Sequence, residues 1–161
     1  MIPSDHFVRY YNEVFKALDE LGRGHLLDYW RKLGREQTAR LGERFRKGGI
    51  RECYRYWEVI KREENCEAEL FLTDDYFEML MHKCPSLSKV IDNDASPFPF
   101  YCDHCMGWIG PVMEYAGLYP VLDVRSREEP ACRLRVYKDK TKAEEFAHGA
   151  VLPSEPYEEI C

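Results

Sequence analysis

Apolar residues recur every three or four positions through the first sixty residues of the chain. In "SDHFVRYYNEVFKALDELG" the stripe is Phe7, Tyr10, Tyr11, Val14, Phe15, Leu18 and Leu21, with Ser4 or Asp5 able to cap the start and Gly22 the end. "GHLLDYWRKLG" and "REQTARLGERFRKGG" continue the helical period, punctuated by Gly24, Gly34 and Gly48-Gly49. "IRECYRYWEVIKREEN" sets Ile50, Cys53, Tyr54, Trp57 and Ile60 on one face. Residues 1–63 therefore read as a helical part whose aromatics serve the core.

At Cys66 the period changes to two. "EAELFLTDDYFEMLMHKC" predicts two strands around a turn at Thr73-Asp74-Asp75, because Asp favours turns and interrupts strands. In the second strand Tyr76, Glu78, Leu80, His82 and Cys84 point one way, and Phe77, Met79 and Met81 point to the core. Pro85 ends the strand, "SLSKVID" gives a short helix, and "NDASPFPF" is a proline-stiffened loop. "CDHCMGWIGPVMEYAG" predicts a helix of roughly four turns, ended by Gly117 and kinked or restarted at Pro111. Gly107 and Gly110 would let it approach another backbone closely. "YPVLDVRS" and "ACRLRVYKD" predict a closing hairpin around "REEP". The order predicts an α+β domain over 1–161: N-terminal helices, an antiparallel sheet with a crossing helix over 67–139, and an acidic, proline-bearing tail over 140–161.

With 161 residues, 45 % of them apolar, the chain can bury a core without disulfide staples. A net charge of −6 disfavours nucleic acid as a partner, since neutralising phosphates requires a basic face. The locally basic "REQTARLGERFRK" reads as a solvated helix face. No apolar run approaches the ~20 residues of a membrane span, and "MIPSDHFVRYYNEVF" lacks the basic start and apolar core of a signal peptide. Seven cysteines, an odd number, fit free or metal-bound thiols in a reducing compartment better than a disulfide framework. A cytoplasmic protein is expected.

The thiols hold the candidate chemistry. Cys102 and Cys105 are spaced C-x-x-C at a predicted helix start, where N-terminal amides soften thiolate charge. That spacing serves as half of a tetrahedral zinc site, as a fragment of an iron–sulfur pattern, or as a redox pair; free thiols also pack simply as small apolar residues. Cys84 at a strand end and Cys132 at the start of the last strand come from elements that can converge on the pair. A thioredoxin-like reading lacks its βαβ unit. His82, two residues before Cys84, is the candidate substitute ligand. His104 between the paired cysteines should point away from their face, as a supporting donor, a pocket residue or a solvent-facing one. Cys53, Cys66 and Cys161 read as packing residues.

The stretches "LTDDYFEMLMHKCP", "YCDHCMGWIGPVMEYAG" and "ACRLRVYKD" resemble the L-2-amino-thiazoline-4-carboxylic acid hydrolase family and, more distantly, the vinyl-reductase-type small-molecule-binding domains. The resemblance covers about residues 67 to 139. It implies an α+β domain with a pocket between sheet and helices, and, from the second group, zinc at clustered cysteines. Ring opening of a cyclic thiazoline- or amidine-like substrate would need an activated nucleophile or water and an acid. Here Cys84 would be the nucleophile, His82 or His104 the base, and Asp103 or Glu114 the orienting group.

Three readings follow. In the first the chain is a metal-binding protein with a small-molecule pocket, zinc or an iron–sulfur cluster being held by Cys84, Cys102, Cys105 and Cys132. In the second it is a hydrolase using His82, His104 and Glu114, with Cys84 or a metal-bound water attacking. In the third it is a ligand sensor or interaction module, its aromatic helices (Tyr10, Tyr11, Tyr29, Trp30, Tyr54, Trp57) forming a pocket or a homodimer seam. No substrate-binding residue is assigned.

Overall fold

A computed structural model of the chain describes residues 3–93 and 95–152, the side chains of residues 3–5 excepted. Five helices and four strands follow in the order α1 (Pro3–Glu20), α2 (Arg23–Glu63), β1 (Glu67–Leu72), β2 (Tyr76–Lys83), α3 (Pro85–Asp92), α4 (Asp103–Ala116), β3 (Tyr119–Ser126), β4 (Ala131–Tyr137) and α5 (Lys140–Ala147). The strands form one antiparallel sheet of order β1-β2-β4-β3, so the chain crosses from β2 to β3 through α3 and α4 before β4 inserts between them. This is the α+β class that the patterning predicts. No helix among the described residues is long and apolar enough to cross a membrane.

Strand alternation builds the main core. Phe77 of β2, Leu122 and Val124 of β3, and Leu134 and Val136 of β4 face α2 and α4, where Phe45, Ile50, Cys53, Trp57, Met106 and Met113 meet them. Thr73 shapes the predicted turn, its hydroxyl accepting from the Asp75 and Tyr76 amides. Pro120 is tolerated because β3 is an edge strand. A second cluster joins α1, α2, α3 and the proline loop through Phe15, Leu26, Trp30, Val90, Phe98 and Tyr101. Buried Asn12 ties that loop to α1: its Nδ2 donates to the Ala95 carbonyl at 2.9 Å and its Oδ1 accepts from the Phe98 amide at 2.8 Å.

Four local expectations are corrected. First, α1 buries Val8, Asn12 and Phe15, with Tyr11 and Leu18 half-buried, whereas Phe7, Tyr10 and Leu21 are exposed. The helix begins at Pro3, ahead of the expected cap. Second, only Gly49 of the α2 glycines breaks the helix, at φ 56. Gly34 instead lets α4 approach, since a Cβ there would lie 2.6 Å from Pro111 Cγ and 2.7 Å from the Gly107 carbonyl oxygen. Third, α4 does not restart at Pro111 but continues through it, with the proline ring against Gly34. Fourth, residues 140–147 form α5, not a tail, with Asp139 capping it by accepting from the Lys142 amide. Helix α5 covers part of the outer sheet face through Ala143 and Phe146.

Candidate functional site

The candidate thiols gather where the two apolar clusters meet. Cys132 follows core parity on β4, between Met81 of β2 and Val124 of β3, and packs against the main core. Cys84 lies just past the end of β2, its amide donating to the Pro130 carbonyl at 2.7 Å. Pairing stops at Lys83, so Cys84 leaves the outward set predicted for it and packs with the α1–α3 cluster. Cys102 starts α4 and touches both clusters, and Cys105 lies one turn further on.

Electrostatics marks the thiols as neighbours. Burial pushes Cys84 up to about 11 and Cys102 and Cys105 up to about 12, and raises Cys132 as well. After burial, the largest contribution for Cys84, Cys102 and Cys132 is the charge Cys105 would carry. Tyr101, whose hydroxyl lies 2.7 Å from Ser86 Oγ, is raised by burial and by the same thiols. The Leu87 and Ser86 amides at the start of α3 oppose the rise at Cys84, and Arg127 opposes it at Cys102. Left to themselves, these are protonated thiols. Among the described residues, no group of three or more His, Cys, Asp or Glu side chains forms a ready metal-binding set. The thiols share a neighbourhood without forming a preassembled cage.

His104 departs from its expected orientation. Its ring is buried against Phe15, Tyr101 and Trp108, and its Nε2 lies 3.6 Å from Cys105 Sγ. Nδ1 donates to the Tyr101 carbonyl, which assigns the tautomer and leaves Nε2 as the acceptor. Burial outweighs the Tyr101 carbonyl and Asp103, bringing the imidazole down to about 4. His104 and Cys105 therefore rest as a neutral pair, not as thiolate and imidazolium.

The other proposed catalytic residues lie elsewhere. His82 has the parity of the outer sheet face and is exposed, its Nε2 2.7 Å from Glu69 Oε1. Glu114 is exposed near the far end of α4, about 13 Å of helix rise from Cys105. Asp103 is fully buried and binds Arg23 Nη2 at 2.8 Å, while that guanidinium lies over the Phe100 ring at 4.5 Å. Asp103 fastens the α1–α2 elbow to the start of α4. Cys53 is buried in the main core, as expected. Cys66, read as packing, stands close enough to Cys84 to be raised by it after burial and Glu64. Its register signal was the pairing of Glu67 with Lys83. Cys161 is outside the described residues.

A cleft of about 260 Å³ opens beside the thiols, between α3, the proline loop and the β3–β4 turn. Leu87, Ile91, Phe98 and Pro99 supply apolar walls, Cys102 adjoins them, and Arg127 and Glu128 stand at the turn. Sequence reading missed Arg127, because turn residues carry no periodic signal. No family model matches this chain, and no curated protein matches it.

Proposed function

We propose that the chain is a metal-binding protein with a small-molecule cleft, its soft metal held by Cys84, Cys102, Cys105 and Cys132. The observation that carries the reading is the meeting of thiols from three separated stretches of chain, where the charge Cys105 would carry raises the cost of ionising Cys84, Cys102 and Cys132. A cation reverses that cost, because thiolates that repel one another become ligands of one centre. Zinc suits four thiolates, an iron–sulfur cluster being the alternative. Four thiolate ligands would leave no coordination position for water. The metal then supplies folding energy, not Lewis acidity. The motif resemblance to the thiazoline carboxylic acid hydrolases and the vinyl-reductase-type domains supports the pocket and the zinc.

Hydrolysis has one contact in its favour, that of Cys105 with His104, but the pair is neutral and the ring is sealed by aromatics. The binding reading is therefore preferred. Elemental analysis with a visible spectrum of the purified protein tests it: about one equivalent of zinc and no colour is expected. Removing the metal should lower Tm by about 10 °C, as loss of about 4 kcal/mol would in a chain of this size. Cys102→Ser and Cys105→Ser should each lower it nearly as far. Metal-free protein that melts unchanged would leave the cysteines as packing residues. Turnover of a thiazoline substrate, lost in His104→Ala, would favour the hydrolase.

A further inference from the structure

Arg127 stands where an arginine is seldom left. Arg127 lines the cleft, and its Nε is buried with no hydrogen-bond partner among the described residues. The guanidinium also makes no ion pair there, although Glu128 is its chain neighbour. A buried donor without an acceptor is costly, and more so when it belongs to a charged group. Glu128 is exposed and solvated, so it makes no matching demand for a cation.

Apart from Glu128 and Tyr101, whose hydroxyl pairs with Ser86 Oγ, the rest of the cleft is apolar. Leu87 and Ile91 of α3 face Pro97, Phe98 and Pro99 of the loop. At roughly 30 Å³ for each water-sized group, the volume of about 260 Å³ admits about nine such groups. One planar, delocalised cation at the mouth matches a carboxylate, whose two oxygens fit the guanidinium fork. A phosphate, with more charge and more acceptors, would need further donors, and the walls offer few.

From this we infer that the cleft binds a monocarboxylate of about eight carbons in all, its head group on Arg127 and its tail between α3 and the proline loop. The inference gives the ligand class for the small-molecule half of the function proposed above and does not depend on the metal. Burying the tail drives binding, and Arg127 discriminates the charged head from a neutral one.

Calorimetric titration of the full chain with sodium octanoate and with 1-octanol tests it. Octanoate should bind at least about tenfold more tightly, the factor expected of one charge-assisted hydrogen bond. Arg127→Gln should bring octanoate down to the level of octanol and leave octanol unchanged. Ile91→Trp, at a position 37 % exposed, should fill the cleft and weaken both ligands. This variant does not rely on Arg127→Gln folding. Equal binding of the two ligands to the unaltered protein would overturn the inference, as would octanoate affinity unmoved by either substitution. Competition by millimolar inorganic phosphate would also overturn it, by making the site a plain anion site. Selective octanoate binding by protein shown to be metal-free would sink the metal and keep the ligand class.

Discussion

Burial acts on Cys53 without help from another thiol. Its side chain is enclosed by the main core, and desolvation, with a smaller push from Glu52, raises it to about 12 from an ordinary value near 9. The sign follows from linkage. Below about pH 9 the thiol is protonated in both folded and unfolded chains, and this contribution is fully present. Above it the unfolded chain ionises first, so stability falls with rising pH until the folded thiol itself ionises near 12. Urea unfolding at about pH 8 and about pH 10 should therefore show the unaltered protein losing about 1.4 kcal/mol more than Cys53→Ala does. Equal losses would mean that Cys53 ionises as readily folded as unfolded. Residue types single out the thiols as candidates, but they do not carry the side-chain surroundings. His104 was expected to turn away from Cys105 and instead contacts it, because Phe15, Tyr101 and Trp108 form a slot for its ring.

Between elements the decisive contact is the seam of α2 and α4, which brings the first turn of α4 and its cysteines to the end of the sheet. The seam relies on missing side chains: a Cβ on Gly34 would meet Pro111 and the Gly107 carbonyl, and one on Gly107 would lie 2.7 Å from Trp30 Cβ. Gly34→Ala gains up to ~1 kcal/mol of helix propensity but must force two backbones apart, which costs about 1–3 kcal/mol or more. A net loss is expected. Gly24→Ala has open space around it and should gain a few tenths of a kcal/mol or more. Urea midpoints for the two variants should move in opposite directions, and a shared direction would refute the packing account. The strands were legible because period two and the Thr73–Asp75 turn are local signals. Glycine was ambiguous for a physical reason, since a missing side chain serves a break, as at Gly49, or a close approach, as at Gly34. Only tertiary context decides between them.

Across the whole molecule the sheet has two different faces, and the sequence pattern described only one of them well. The inner face is an unbroken apolar layer, so Phe77, Leu134 and Val136 announce it. The outer face mixes charge with aromatics: Glu78 is buried beneath Arg135, which it binds, and Arg135 lies over the Tyr76 ring at 4.6 Å and the Phe146 ring at 4.3 Å. Helix α5 closes that arrangement, yet only Ala143 of its residues is fully buried, so its apolar stripe was too thin to distinguish from a tail. Lys142 holds it to Asp75 at 2.8 Å, an exposed pair worth little by itself. Phe146, packed against Tyr137 with ring centroids 6.1 Å apart, must therefore do most of the docking. Phe146→Ala should cost about 2 kcal/mol, below the ~3–5 kcal/mol of a fully buried phenylalanine because this ring is half-exposed. Phe7→Ala, at a ring 62 % exposed on α1, should change stability by no more than about 0.5 kcal/mol. Chemical unfolding of both variants measures the difference directly. If Phe146→Ala proves as harmless as Phe7→Ala, α5 is not a structural cover for the sheet.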